Sequence, residues 1–319
     1  MPDPDRLNEL ENVIDLIDIA GRLAASTVVV VGGDRVEDLT LVESARDHGI
    51  VDRIILIGRK ERIAAALALS GVAAGDCDIV AANTDEQIAA ETVALMRAGA
   101  VDVVLKGNIS TPVLNRALLP LAVRPTVSLV TLFDAAPVRG GTPVILTDAG
   151  VTTVCTPERM AHIIENAVDV ARVVMNIDCP RVALLSANEK QIASLPSTAM
   201  ALELAGRPWS DAVVCGPLSF DLAIDPGSVT VKGMPDCPNA ADVAGRADIL
   251  VCPGLDAANI LYKAISAMNK YGQASLASIT MGFSVPYIIL SRADTVETRL
   301  VSVALCSIYA QRTRDKTSP

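Results

Sequence analysis

Apolar positions in this chain follow two rhythms in alternation. Mostly aliphatic runs at 27–31, 53–57, 78–81, 101–105 and 127–133 predict strands. Between them, at 36–48, 60–70 and 85–98, apolar residues recur every three or four positions and predict helices. Runs without polar alternation suit strands covered on both faces. Strand and helix in strict succession predict an α/β fold with a mostly parallel sheet and helices on both faces. Leu7, Leu10, Val13, Ile14 and Ile17 share one helical face, so the chain is expected to open with an amphipathic helix. After Leu105 the pattern turns polar. Thr111 fits a helix N-cap and Pro112 the first helical position.

The stretch 137–143, PVRGGTP, is the clearest turn-rich connection, and a domain boundary is expected there. A second alternating block follows. Strands are expected at 144–146, 182–185, 212–214 and 247–252. Helices are expected at 157–175, capped by Thr156, at 198–205, and from near Asp256, with a polar stretch at 226–238. A last strand at 287–290 and a helix to about 311 are expected to rejoin the first domain. The organisation expected is therefore 1–138 with 284–319 as one α/β domain and 139–283 as the other. The uncharged stretch 271–291 is long enough to raise a membrane span. Gly272, Gln273, Gly282 and Pro286 interrupt it, and it reads as two strands.

Charge narrows the function classes. The formal net charge is −10 and the isoelectric point about 4.8, which argues against nucleic acid or an anionic membrane as partner. An anionic small molecule would need cations placed locally. Seven cysteines with no C-x-x-C pair, and only two histidines, predict buried free thiols in a reducing cytoplasm and no zinc cluster. The N-terminus is acidic and helical in pattern, unlike a signal peptide. Gly32-Gly33-Asp34 follows a strand, but G-x-G-x-x-G is incomplete and no G-x-x-x-x-G-K-[ST] occurs. Cys252 ends a strand without a histidine nearby and reads as a structural thiol.

Candidate chemistry sits in the turns that leave strands and open helices, where unpaired N–H groups favour an anion. Lys106-Gly107-Asn108 is one such turn, with Arg116 on the helix after it. Pro253-Gly254-Leu255-Asp256 is a second, and Ser291-Arg292-Ala293-Asp294 a third, with an arginine able to grip phosphate or carboxylate. Asp294-Thr295-Val296-Glu297 has the spacing of a capping box, which would explain both carboxylates structurally.

The segments GRADILVCPGLDAANILYK, VPYIILSRADTVET, VVLKGNISTPVLNRALL, ILTDAGVTTVCTPERMAHIIENAVDVAR and CGPLSFDLAI resemble the phosphate acetyl/butyryltransferase family, closer to its butyryl branch. The likeness runs from about Val28 nearly to the end of the chain. It implies two three-layer α/β/α domains of isocitrate/isopropylmalate dehydrogenase type with a cleft between them. It implies transfer of a short acyl group, butyryl or acetyl, between coenzyme A and phosphate. No metal or redox cofactor is implied; coenzyme A is a substrate, and a cytoplasmic homodimer is expected.

Residue by residue, the resemblance gives Ser291 and Arg292 the task of binding acyl-phosphate and polarising its carbonyl. The other reading of that pair is a turn serine and a structural ion pair. Arg116 would contact phosphate. Lys106 and Asn108 would lie beside it, and Ser128 would line the pocket where a second arginine is expected. Asp256, Asn259 and Lys263 would hold substrate or fix the domain interface. The acetyl branch places a base at a position that falls on Thr298 here, so the adjacent Glu297 is the candidate base. Gly254, Ala258 and Cys215 also depart from the family pattern, at positions expected to hold aspartate, glycine and aspartate. Two other readings remain open: a paralogue that binds coenzyme A or acyl-phosphate without turnover, and a metal-dependent hydroxy-acid dehydrogenase.

Overall fold

The computed structural model describes residues 10–289 and 294–317. In chain order the helices and strands are α1 (Leu16–Gly21), β1 (Ser26–Val31), α2 (Val36–Asp47), β2 (Val51–Gly58), α3 (Lys60–Ser70) and β3 (Cys77–Ala81). Next come α4 (Asp85–Arg97), β4 (Val103–Lys106), α5 (Thr111–Leu118), β5 (Ser128–Ala135), β6 (Val144–Thr147) and α6 (Pro157–Val174). They are followed by β7 (Arg181–Leu185), α7 (Pro196–Ala205), β8 (Val213–Leu218), α8 (Phe220–Ile224), α9 (Pro226–Lys232) and α10 (Ala240–Val243). The chain closes with β9 (Ile249–Val251), α11 (Leu255–Asn269), β10 (Ala274–Met281), β11 (Tyr287–Ile288) and α12 (Val296–Thr317).

Two compact units divide these elements. One contains residues 10–15 and 125–277, the other residues 16–124 and those described after 277. In the 16–124 unit the strand order is β3-β2-β1-β4-β11-β10. Every pairing there is parallel except β11 with β10. In the 125–277 unit β10 lies beside β5, and the order continues β6-β9-β7-β8. There β5 pairs antiparallel with β6, and β6-β9-β7-β8 run parallel. Both units are thus α/β with mostly parallel sheets. Val29, Val31, Val104, Leu114 and Tyr287 belong to the core of the first. Phe133, Val144, Leu250, Cys252 and Leu276 belong to the core of the second. Among the described residues no helix is long and apolar enough to cross a membrane.

The differences from the sequence reading have local causes. The boundary expected at 138/139 falls at 124/125, and an unexpected one at 15/16 puts residues 10–15 with the 125–277 unit. β5 and β6 pair antiparallel, with Phe133 opposite Val144, so the turn-rich 137–143 stretch joins neighbouring strands within one unit. The other expected boundary falls inside β10, at 277/278, not at 283/284. The opening helix starts later than expected: Val13–Asp15 is a 3₁₀ turn before α1, and Leu10, Val13, Leu16 and Ala20 form the buried face while Ile14 is exposed. Leu7 lies outside the described residues. Helix α5 begins one residue early, with Ser110 as N-cap and Thr111 already helical. Thr156 does cap α6, its Oγ1 accepting the Arg159 N–H at 3.3 Å.

Candidate active site

In the 16–124 unit, β1 and β4 run parallel with Val31 opposite Lys106, so their exit turns leave the sheet at the same edge. The turns interlock through the backbone. Gly107 N–H donates to Val31 O at 2.9 Å, and Asn108 N–H donates to Gly32 O at 2.7 Å. A Cβ on Gly32 would sit 2.5 Å from Asn108 backbone, and one on Gly107 would sit 2.5 Å from Gly32 O. Gly32 also has φ +78°, a region that favours glycine. These glycines serve close approach between two strand ends.

Lys106 is half-buried at the end of β4, with Nζ donating to Gly107 O at 3.3 Å. Asn108 is exposed. Its Nδ2 donates to Asp34 Oδ1 at 2.8 Å, and its Oδ1 accepts from Arg35 Nη2 at 3.0 Å. Arg116 is exposed in the last turn of α5. β11 runs parallel to β4 with Ile288 opposite Leu105, so the chain also leaves β11 at this edge. Ser291 and Arg292, which come next, lie outside the described residues.

The next described residue is Asp294. Thr295, not Asp294, caps α12. Its Oγ1 accepts the Thr298 N–H at 3.1 Å and donates to Thr298 Oγ1 at 3.0 Å. The helix starts one residue later than the Asp294–Glu297 spacing suggested, so Glu297 is not the reciprocal partner of a cap. It is exposed in the first turn, where the helix end favours its charge. Thr298 is 3% exposed and engaged on the cap.

One turn along, Arg299 bonds the carboxylate of Asp38, in the first turn of α2. Asp38 Oδ2 also lies 3.0 Å from where a Gly107 Cβ would be. The starts of α2 and α12 are thereby held together, and the turn after β4 passes close to the Asp38 carboxylate. Burial pushes the Asp38 carboxyl up from its ordinary range, and the Arg299 and Arg35 charges oppose that rise. Sequence reasoning missed Asp38 and Arg299, because each reads as an ordinary charged residue on a helix. Their only signal was position in a first or second turn after a strand end.

The 125–277 unit carries the remaining candidates. After β6, the Asp148 carboxylate, 5% exposed, accepts four backbone N–H bonds. Oδ1 takes Leu129, Gly150 and Val151 at 2.9, 3.0 and 3.1 Å, and Oδ2 takes Thr152 at 2.8 Å. The turn so formed presents Ala149 O to Asn259, whose Nδ2 donates to it at 2.9 Å. Asp256, Asn259 and Lys263 follow one another along one face of α11, and all three are exposed. Lys263 Nζ lies 5.1 Å from the Tyr262 ring centroid.

Gly254, just before α11, would meet nothing within 4 Å if it carried a Cβ, so packing does not demand glycine there. Ala258 is fully buried in the core. Ser128 is corrected: it is fully buried, and its Oγ accepts from Asn166 Nδ2 at 2.9 Å, so it faces the interior and not a pocket. Among the described residues no group of three or more His, Cys, Asp or Glu could hold a metal ion.

Residues 86–307 match the family model described as "Phosphate acetyl/butaryl transferase". A phosphate acetyltransferase of Rickettsia felis is 32% identical over 98% of this chain and 89% of its own length. A probable phosphate butyryltransferase of Bacillus subtilis is 31% identical over 91% of this chain and 95% of its own. Among solved structures, a branched-chain phosphotransacylase from Enterococcus faecalis superposes with a TM-score of 0.77 at 28% identity. That alignment covers 89% of this chain and 99% of the other.

Proposed function

Because the chain belongs to the phosphate acetyl/butyryltransferase family, we propose that it transfers a short-chain acyl group between coenzyme A and phosphate. The observation that carries this reading is similarity across nearly the whole chain to relatives of both the acetyl and the butyryl branch. The enzyme is an acyltransferase. In one direction the thiol sulfur of coenzyme A attacks the acyl-phosphate carbonyl carbon, the bond to phosphate oxygen breaks, and acyl-CoA and phosphate leave. The reverse reaction retraces that path.

Negative charge builds on the carbonyl oxygen during attack, and fixed donors aimed at it supply the main stabilisation. The resemblance assigns this work to Ser291 and Arg292. Lys106 and Asn108 come from the turn after β4, a fitting position for contacts to phosphate, and Arg116 comes from the last turn of α5 in the same unit. Asp256, Asn259 and Lys263, on α11, are assigned to substrate by the same resemblance. Glu297, exposed at the start of α12, is the residue assigned to accept the thiol proton. A coenzyme A thiol of pKa about 8.5 is partly ionised at neutral pH, so the demand on this base is small. No metal or redox group enters the reaction. The reading extends to an isocitrate dehydrogenase-like domain arrangement, a homodimer and a cytoplasmic location.

The test is thiol release from acetyl-, propionyl- and butyryl-CoA, with phosphate and a metal chelator present. Phosphate-dependent release is expected. No release above blank with any of them would make the protein a binder without turnover. Metal-dependent reduction of a nicotinamide cofactor by a hydroxy acid would replace the reading with a dehydrogenase.

A further inference from the structure

Two cysteines of the 125–277 unit lie with their sulfurs in contact. Cys215, in β8, is fully buried. Cys237 is half-buried, on the connection between α9 and α10. Asn239 Nδ2 ties that connection back to the strand, donating to Val214 O at 2.9 Å. The two Sγ atoms are 3.0 Å apart. A disulfide needs an approach of only about 1 Å more. The residues flanking Cys237, from Met234 to Asn239, are mostly exposed, so the connection can supply that movement.

The pair is also polarised. The two sulfurs share one S–H bond, and that contact, with a second from Gly216 N–H, holds the Cys237 thiol below its ordinary range against burial. The same shared proton, and burial, hold Cys215 up. Cys237 is therefore the better nucleophile and also the more accessible. By contrast Cys179 is exposed, Cys77 and Cys155 are half-buried, and burial raises the last two.

We propose that Cys215 and Cys237 are a reversible oxidation site, joined as a disulfide when the protein meets hydrogen peroxide. The Cys237 thiolate attacks one peroxide oxygen and the O–O bond breaks. The departing hydroxide takes the proton that Cys237 had given up and leaves as water, and Cys237 becomes a sulfenic acid. The Cys215 sulfur then attacks the Cys237 sulfur. Hydroxide leaves with the Cys215 proton as a second water, and the S–S bond forms. Two thiols are oxidised by two electrons and one peroxide is reduced to two waters.

The experiment treats the reduced full-length protein with hydrogen peroxide, traps remaining thiols by alkylation, and maps peptides without reduction. A linked Cys215–Cys237 peptide should form about tenfold faster than Cys179 is oxidised. A dithiol reductant should reverse it. The cross-link closes a loop between residues 22 apart, and the oxidised form should melt roughly 7–13 °C above the reduced one. Cys237→Ser should abolish the linked peptide. Cys215→Ala, which puts no hydroxyl into the core, should stop the reaction at a sulfenic acid on Cys237. The proposal is overturned if Cys179 oxidises while Cys215 and Cys237 are recovered as alkylated thiols. Sulfinic acid on Cys237 of the unmutated protein, without cross-link, overturns it too.

Discussion

Replacing Asp148 by asparagine changes one atom in the most densely bonded turn of the 125–277 unit. Oδ1 accepts from Leu129, Gly150 and Val151, and Oδ2 accepts from Thr152 at 2.8 Å. In Asp148→Asn the amide oxygen can keep the three bonds at Oδ1, but as a neutral acceptor. Bonds to a charged group are worth about 1 kcal/mol more than neutral ones, and three bonds on one oxygen do not add fully, so this loss is about 1.5 kcal/mol. The amide nitrogen then faces the Thr152 N–H, donor against donor. Thr152 is 7% exposed, and an unsatisfied buried donor costs about 1–3 kcal/mol. Together the variant should lose about 3 kcal/mol. For a unit of this size the thermal midpoint should fall by roughly 6–12 °C. Thermal melts and urea titrations of the two proteins measure it. A loss under about 1 kcal/mol would mean that water or a shifted backbone serves Thr152, and that the carboxylate does not organise the turn.

Three further outcomes are expected. Arg292→Ala should lower kcat roughly 10²-fold, and Arg292→Lys should recover only part of that, since lysine keeps the charge without the planar fork; near-normal kcat in the alanine variant would shift the phosphate role to Arg116. Glu297→Gln should lower kcat about tenfold at neutral pH, with the deficit shrinking as pH approaches the thiol pKa; a deficit that does not change with pH would remove Glu297 as base. Burial raises the Asp134 carboxyl from 3.8, with N–H bonds from Val13 and Ser275 opposing. Its contribution to stability is full below 3.8 and lost as pH rises through the raised value, so the melting midpoint of Asp134→Asn should gain on wild type as pH rises from 4 to 7; a constant difference would contradict it.

The repeating elements were legible because an unbroken run such as TVVVV at 27–31 has no other comfortable home than a doubly covered strand. Long-range pairings were not. The 137–143 turn resembles a linker in composition, and only the antiparallel partnership of Phe133 with Val144 shows that it closes a pair of adjacent strands. Ser128 was misplaced because a small polar residue in a strand can face either way; Asn166, 38 positions on, decided it. The caps of α5 and α12 each slipped by one because adjacent serine, threonine and aspartate compete for the role. Asp148, Asp38 and Arg299 carry no local signature, since each gains its meaning from backbone brought in by the fold. The cations proposed for phosphate were readable only through the family likeness, as an arginine in a turn is otherwise most often solvated.

Cys252 is buried in the core of the 125–277 unit, where desolvation pushes its thiol up to about 12. Cys306 is fully buried in α12, and burial raises it well above the ordinary thiol range. Each unit therefore contains a native chemical clock. A thiol reagent cannot touch either sulfur until its surroundings open, so the labelling rate at each residue counts openings of its own unit. Comparing the two rates, with and without substrate, resolves the chain into separately timed parts without adding a single foreign probe.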